Sequence, residues 1–415
     1  MNIYGLIILA ALLLEYLLNT ISDIMSVRSM QKEIPDELKD VCNPTVYEKT
    51  RMYTRIRTNF GIIENTVFLA GLLAFWWLGG FSKLDEIVRN ITDSILLRGL
   101  LFIGILLIIR SVVSLPFQIY STFVIEEKFG FNKTTPIVFL TDIIKAVMLT
   151  IVIGVPLILG VLAFFEHAGE YAWIYCWIMG TIVVIILQFI APTWIMPLFN
   201  KFKPLEEGEL RKAILEYAHS VNFSLKDVFI MDGSRRSTKA NAFFTGFGKN
   251  KRIALFDTLL QKYLPEELVI ILAHEIGHYK QKHIQKGIIL TVLHMGFMFF
   301  VMSLFIREKE LFDAFFVSEV SVYAGLIFFS LLFSPLEFFL SIVFNYISRK
   351  HEYSADEFAV QTCRAPEKMI EVLKKLHIDN LSNLQPHPFQ ILLKYSHPPL
   401  LSRIRRIRES AKLLS

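Results

Sequence analysis

The sequence predicts an all-α multi-pass membrane protein of about seven transmembrane helices, with a cytoplasmic region that contains a small β-hairpin or sheet. The mean hydropathy is +0.48. Hydrophobic residues make up 53% of the chain and charged residues only 20%. A soluble domain has roughly 45–50% apolar and about 25% charged residues. The apolar excess is concentrated in long runs. These features exclude a disordered chain, a disulfide-rich secreted module and an ordinary cytosolic enzyme.

The apolar runs are long enough to cross a bilayer, because a helix needs about 20 mainly apolar residues to do so. Seven stretches qualify, at about 3–21, 62–80, 95–115, 138–165, 171–196, 287–306 and 320–347. The first run has no basic region before it and no small-residue cleavage site after it, so we expect a retained span. We therefore predict an N-terminal membrane domain of five spans, 1–196, and a second domain, 197–415, that includes the last two.

The connecting segments carry their positive charge on one side of the membrane. Together, 22–60, 116–137, 197–286 and 348–415 contain 36 lysines and arginines, against four in the segments on the other side. The positive-inside rule then places both long polar segments in the cytoplasm. This orientation also explains the net charge of +5, so we expect a lipid bilayer and no nucleic acid among the partners.

The polar segment 197–286 is long enough to fold outside the membrane. A helix is expected over 206–222. Three β-rich stretches follow, at 226–232, 240–247 and 252–258, with a turn at 248–250. A second helix is predicted over 264–283, because a proline begins it and two glutamates occupy its first turn. The tail from 348 is expected to be helical in at least three pieces.

The second predicted helix contains the sequence HEIGH at 274–278. His274 and His278 lie four residues apart on one face, so both imidazoles can bind one Zn²⁺. Glu275 between them is placed to take a proton from the metal's water. The motif predicts one zinc per chain and a zincin-like catalytic region. A coincidental histidine pair on an exposed helix is the alternative.

A catalytic zinc needs a third protein ligand and an open fourth position. The histidine that metzincins carry six residues beyond the motif is absent, since this position is Ile284. Just after the last span, Glu352 and Asp356 share one helix face. Glu352 is the candidate third ligand, and Asp356 could orient a ligand histidine through its second ring nitrogen. An exposed charged helix would have the same spacing. The occurrence of this segment together with HEIGH, across a two-span hairpin, favours a metal-binding role for Glu352.

Five motifs together resemble the integral-membrane zinc proteases of the CAAX prenyl protease 1 type, which are gluzincins. They are HEIGH, RKHEYSAD at 349–356, NAFFTG at 241–246, IEEKFGFNKTT at 125–135 and SHPPLLSRI at 396–404. The resemblance covers nearly the whole chain, and IEEKFGFNKTT is the most restrictive motif. It implies zinc ligation by His274, His278 and Glu352, with Glu275 as the general base.

The same resemblance implies further site residues. Asn241, Ala242 and Phe243 match an edge strand on which substrate lies as an added strand, where an ordinary hairpin strand is the alternative. His397 and Arg403 match a pair that stabilises the oxyanion of the tetrahedral intermediate. From the residues alone, His397 would be a loop residue and Arg403 a solvated charge. The implied substrate is a C-terminal CAAX sequence, cleaved after its prenylated cysteine to release a tripeptide.

Other functions remain as alternatives. A general quality-control zinc protease of the membrane would lack prenyl specificity, but its shorter relatives lack the IEEKFGFNKTT segment. A site-2-type intramembrane protease would bury HEIGH in a span, whereas the residues that follow it here are charged. A zinc or lipid transporter needs no glutamate between the two histidines, and inverted repeats are absent from the sequence.

The compact length and a tail, 409–415, without a recognisable retrieval signal favour a bacterial cytoplasmic membrane, with the endoplasmic reticulum membrane as the alternative. Four further ionisable residues need an interpretation. His283 follows HEIGH on a basic face, and we expect it to be solvated. Within the predicted spans, Asp142, Lys145 and His294 should face a partner or a watery cavity, with snorkelling near a span end as the alternative.

Overall fold

The computed structural model describes residues 2–31, 33–225, 227–245 and 252–413, so the turn expected at 248–250 lies outside the described residues. Seven helical segments in these ranges are long and apolar enough to cross a membrane. They are Ile3–Ser29, Pro44–Trp77, Ile95–Glu126, Pro136–His167, Gly169–Phe199, His283–Phe305 and Val322–Cys363. Each overlaps one predicted span, and the multi-pass helical class is confirmed.

The first half of the chain is entirely helical where it forms regular structure. Its helices are α1 (Ile3–Ser29), α2 (Pro44–Trp77), α3 (Gly80–Ile91), α4 (Ile95–Tyr120), α5 (Pro136–Leu149), α6 (Val155–His167), α7 (Ala172–Ile190) and α8 (Met196–Phe199). Wider π-helical turns extend α4 to Glu126 and connect α5 to α6 and α7 to α8. One of these turns contains Pro192 and another ends just before Pro156, and proline cannot donate to the α-helical ladder.

A tightly packed apolar core lies where the α2–α3–α4 connection meets the last two spans. Phe81, Phe315 and Phe328 are at most 2% exposed there. Trp76 Nε1 donates to the Ala314 carbonyl at 2.8 Å, which satisfies the indole within this core. This core closes the end of the bundle opposite the polar segments.

The second half combines a small sheet with helices. The strands are β1 (Phe202–Pro204), β2 (Asp227–Met231), β3 (Ala242–Thr245) and β4 (Arg252–Phe256), in the order β1-β2-β4-β3. The helices are α9 (Glu209–Ser220), α10 (Asp257–Leu260), α11 (Pro265–Lys280), α12 (His283–Phe305), α13 (Lys309–Ala314), α14 (Val322–Cys363), α15 (Pro366–Asp379), α16 (Pro388–Lys394) and α17 (Leu400–Lys412). The three β-rich stretches are therefore strands, and β3 and β4 pair antiparallel as a hairpin.

Helix α11 lies between the sheet and α14. Leu268, Leu272 and Ile276 recur at helical spacing and pack in the core that the sheet shares with α11. On another face, a Cβ added to Gly277 would lie 3.1 Å from both the Cα and the carbonyl oxygen of Ala355. The glycine therefore allows α11 and α14 to approach closely, which brings HEIGH next to the predicted ligand segment of α14.

Candidate metal centre and active site

Helix α11 is well capped, which keeps the HEIGH motif in regular helix. Pro265 occupies its first turn, where its missing N–H is not needed. Glu267 accepts a hydrogen bond from the Leu264 N–H at 2.7 Å and is itself bound by Lys375 Nζ at 2.8 Å. The helix then continues without interruption to Lys280. The motif side chains therefore keep the i, i+4 geometry that the sequence predicts.

The three predicted ligands converge where α11 crosses α14. His274 Nε2 and His278 Nε2 lie 3.1 Å apart. Glu352 places one carboxylate oxygen 3.5 Å from His274 Nε2 and the other 3.3 Å from His278 Nε2. A tetrahedral zinc with bonds of roughly 2.0–2.1 Å requires ligand atoms about 3.3 Å apart. The site therefore fits one zinc, and its nitrogen-rich donor set differs from the all-oxygen sets of Ca²⁺ and Mg²⁺.

The second ring nitrogen of His274 is held by a buried carboxylate. Asp356 is 0% exposed, and its Oδ1 lies 2.9 Å from His274 Nδ1. Arg403 donates two hydrogen bonds to Asp356, at 2.8 Å through Nε and 2.6 Å through Nη2. Burial alone would lower the pKa of His274, but the contacts with Asp356 and Glu352 outweigh it and raise the pKa to about 9. This arrangement directs His274 Nε2 towards the other ligands.

The expectation that His283 is solvated is wrong. Its side chain is buried at 7% exposure. Its Nδ1 lies 3.0 Å from His278 Nδ1, and its Nε2 lies 3.1 Å from the Ser354 hydroxyl. Lys282 adopts the left-handed conformation, with φ 59°, and redirects the chain between α11 and α12. His283 therefore turns back towards His278, which a continuous helical wheel does not predict.

The candidate general base and oxyanion pair lie around the same carboxylate. Burial raises the pKa of Glu275, opposed by the positive charge of His274. His397 is 67% exposed and places Nε2 3.4 Å from Glu352 Oε1. Arg403 is buried at 7% exposure, with Nη1 3.8 Å from Glu352 Oε2. The solvated alternative for Arg403 is therefore wrong, whereas His397 does lie in an accessible loop.

Helix α16 holds the loop that carries His397. Arg349 and Asn345 on α14 donate to carbonyls at the end of α16, the Asn345 bond to Leu393 O measuring 3.1 Å. Lys394 Nζ lies 2.8 Å from Asp23 at the polar end of α1. These contacts anchor α16 to the first and last spans, so the loop that follows it lies over the metal centre.

The predicted substrate strand forms one edge of the sheet. In the described part of the chain, β3 pairs with β4 alone, with Ala242 opposite Leu255 and Phe243 opposite Ala254. Asn241, just before it, is exposed, and its side chain accepts from the Ala242 N–H at 2.9 Å. The second edge of β3 therefore offers backbone groups to an added strand.

The ionisable residues within the spans have partners. Asp142 accepts two hydrogen bonds from Arg236, at 2.8 and 2.9 Å, and Lys145 donates to the Leu198 carbonyl at 2.8 Å. His294 Nε2 lies 2.9 Å from Glu337 Oε2, beside a cavity of about 450 Å³. The sequence-based expectation of a partner or a cavity is confirmed for these three residues.

Two family models match the chain. The first, described as "CAAX prenyl protease N-terminal, five membrane helices", matches residues 23–201, and the second, "Peptidase family M48", matches residues 204–411. Together they cover both halves of the chain, and both predicted histidine ligands and the predicted glutamate ligand fall within the second match.

Curated relatives are similar over nearly their whole length. A CAAX prenyl protease 1 homolog of Oryza sativa subsp. japonica is 35% identical, with 97% of each chain covered. The CAAX prenyl protease 1 of Saccharomyces cerevisiae is 34% identical over 92% of this chain and 90% of its own. The crystal structure of S. mikatae Ste24p matches with a TM-score of 0.93 at 32% identity, over 98% of this chain and 99% of that one.

Proposed function

The chain belongs to peptidase family M48 and is an integral-membrane metalloendopeptidase, and on this premise we propose that it uses zinc to remove the C-terminal tripeptide of prenylated CAAX proteins. The observation that carries the zinc proposal is the separation of 3.1 to 3.5 Å between the ligand atoms of His274, His278 and Glu352. The names of the rice and yeast relatives support the substrate.

We also propose the division into a membrane domain, 1–196, and a zinc metallopeptidase domain, 197–415. The family models support it, because one ends at residue 201 and the next begins at residue 204. The second unit would contain all three ligands. Glu352 reaches the two histidines only because α14 continues beyond the membrane as one helix of 42 residues.

Glu275 moves the proton in the proposed mechanism. A zinc ion bound by the three ligands would supply Lewis acidity that lowers the pKa of water to about 7 and polarises the scissile carbonyl. The Glu275 carboxylate accepts the proton of the attacking water and then delivers it to the nitrogen of the leaving peptide. Burial raises the pKa of this carboxyl group, which suits a residue that must hold a proton between two steps.

His397 and Arg403 have different parts in this proposal. His397 is accessible and near Glu352, so its imidazole can donate to the developing oxyanion. Arg403 already donates hydrogen bonds from Nε and Nη2 to Asp356, its Nη2 lies 3.5 Å from His274 Nδ1, and its Nη1 approaches Glu352 only to 3.8 Å. We therefore propose that Arg403 acts mainly by holding Asp356 against His274, and supplies only long-range positive charge to the oxyanion.

The substrate would pair with the free edge of β3 at Asn241, Ala242 and Phe243. Strand addition recognises an extended peptide through its main chain, whatever its side chains. A prenylated cysteine would bring this peptide to the bilayer, where the polar segments lie on the cytoplasmic side by the positive-inside rule. This topology fits either a bacterial cytoplasmic membrane or the endoplasmic reticulum membrane, and eukaryotic relatives favour the second.

The test compares a prenylated CAAX peptide with its unprenylated twin, using protein purified in detergent with its zinc quantified. Wild type should cleave the prenylated peptide after the modified cysteine and hold one zinc per chain. Glu275→Gln should retain zinc and lose about 10²–10⁴-fold in kcat. Cleavage at wild-type rate by Glu275→Gln contradicts the mechanism. Equal cleavage of the two peptides contradicts prenyl specificity and favours a general membrane protease.

A further inference from the structure

The motif IEEKFGFNKTT (125–135) takes no part in the chemistry described above, although it is the most restrictive motif of the chain. In the structure it contacts residues 236–240, which lead directly into Asn241 and β3. We name residues 236–240 the lead-in segment. The question is what the motif does there.

The motif pairs with the lead-in segment through main-chain hydrogen bonds. The Lys133 N–H donates to the Arg236 carbonyl at 3.0 Å, and the Thr238 N–H donates to the Phe131 carbonyl at 3.1 Å. Between them, residues 132 and 237 form an antiparallel bridge. The motif therefore acts as a short strand partner, and it fixes the lead-in segment relative to the spans on either side of the motif.

A charged cluster adds a side-chain anchor one residue further on. Lys239 Nζ lies 2.9 Å from Glu126 Oε2 and 2.7 Å from the Tyr53 hydroxyl, and it sits 4.5 Å from the centre of the Phe131 ring. Glu126 is 16% exposed and also binds Arg57 at 2.6 Å. Removing one partner of a mostly buried carboxylate destabilises the fold, because the remaining charge is left uncompensated. This cluster therefore holds Lys239 against α2 and the end of α4.

The opposite side of the lead-in segment is held by α15. The Asn380 side chain accepts from the Ala240 N–H and donates to the Ala240 carbonyl, both at 3.2 Å. It therefore pairs with Ala240 as a neighbouring strand would. Ala240 lies two residues before Ala242, the first residue of β3.

We propose that Glu126, Lys239 and Asn380 are positioning residues that set the register of β3 against the metal centre. This inference deepens the proposed function and rests on it. An added substrate strand takes its register from β3, and a shift by one residue would turn its side chains to the opposite face. It would also displace the scissile bond by about 3.3 Å, whereas a misplacement of about 1 Å can cost 10²-fold in rate.

The experiment measures kcat, KM, cleavage position, zinc content and melting temperature of purified full-length variants. Lys239→Met should lower kcat/KM for the peptide at least about tenfold and make the cleavage position less uniform, because the scissile bond is misplaced, with zinc content unchanged. Lys239→Arg keeps the charge and should stay near wild type. Lys374→Met is the matched control, because Lys374 is buried and paired with Asp40, away from the lead-in segment. Asn380→Ala should behave as Lys239→Met does.

A purely structural role would lower the melting temperatures of Lys239→Met and Lys374→Met alike and leave kcat/KM and the cleavage position unchanged, and this result would overturn the inference. Peptide affinity is measured separately in the Glu275→Gln background, where cleavage should be about 10²–10⁴-fold slower and binding can be measured before the peptide is consumed. Weaker binding there by Lys239→Met supports the positioning role even if the substrate class is wrong. Failure of wild type to cleave any peptide contradicts the proposed function alone.

Discussion

Each of the two proposed ligand histidines is held through Nδ1 by a different kind of partner. Asp356 holds His274, whereas His278 faces the neutral imidazole of His283. If His278 binds the metal through Nε2, its Nδ1 must carry the proton, and this N–H donates a hydrogen bond to His283 Nδ1. The Nε2–H of His283 then donates to the Ser354 hydroxyl, which donates to the His351 carbonyl at 3.0 Å. Every polar hydrogen in this series has an acceptor.

Loss of His283 should therefore weaken zinc binding. We expect His283→Ala to lower zinc affinity about 10–100-fold, because His278 loses the acceptor that orients it. His283→Gln keeps an acceptor oxygen and should lose less. Affinity is measured by chelator competition, and His219→Ala, at an exposed histidine of α9, is the control. Zinc affinity equal to wild type in His283→Ala would contradict the orienting role.

Residue roles were predictable where they depend on spacing along one helix. His274, His278, Glu352 and Asp356 follow from i, i+4 patterns, and the structure brings them together. His283 could not be predicted, because its position depends on the left-handed Lys282 between two helices. The contacts of Glu126 with Lys239 join segments more than a hundred residues apart, and no local pattern carries that information.

At the level of elements, the crossing of α11 and α14 depends on one small residue. Gly277→Ala would gain about 1 kcal/mol of intrinsic helix stability. The added Cβ would nevertheless lie 3.1 Å from backbone atoms of Ala355, which cannot rotate away. Overpacking of this kind destabilises by about 1–3 kcal/mol. It would also push Glu352 away from the two histidines.

We therefore expect Gly277→Ala to lower both the melting temperature and the zinc occupancy. Gly287→Ala on α12 is the matched control, since a Cβ there meets nothing within 4 Å. The control should be neutral or slightly more stable. Scanning fluorimetry measures the melting temperature, and metal analysis measures the zinc occupancy. A Gly277→Ala protein with full zinc occupancy would show that the helices can separate without disturbing the site.

The seven spans and the strands β2, β3 and β4 were predictable, whereas the shortest strand and part of the strand pairing were not. The seven spans follow from hydropathy, because each supplies a full bilayer thickness of apolar residues. Strand β1 has only three residues, too few for an alternating pattern. The parallel pairing of β2 with β4 depends on how the chain crosses between them, which composition does not encode. Helix α3 lies in a connection whose charges predict its side of the membrane but not its secondary structure.

At the scale of the whole molecule, a metal at this site would add a further link between two parts of the chain that already meet through packing and through polar contacts such as His274–Asp356. Helix α11 belongs to the sheet-containing segment, whereas α14 extends from the membrane into the polar half. The ligands come from both helices. Metal removal should therefore reduce the stability of the whole polar half rather than of one loop.

The destabilisation caused by metal removal should increase with pH. The pKa of His274 is raised to about 9 in the folded state, against about 6.5 when unfolded. A raised pKa contributes stability that is complete below about 6.5 and is lost as the pH rises through about 9. The metal-free protein should therefore lose up to about 3 kcal/mol over this window. The zinc-loaded protein should not, because its His274 is already deprotonated.

Melting temperatures of loaded and chelator-treated protein, measured in one detergent from pH 6 to pH 9.5, test this directly. The gap between the two forms should widen with pH in wild type. In His274→Ala, which lacks both this imidazole and one of the three proposed zinc ligands, the gap should be small at every pH. A gap in wild type that is independent of pH would mean that Asp356 and Glu352 do not stabilise a protonated His274. Their contacts with its ring would then serve orientation alone.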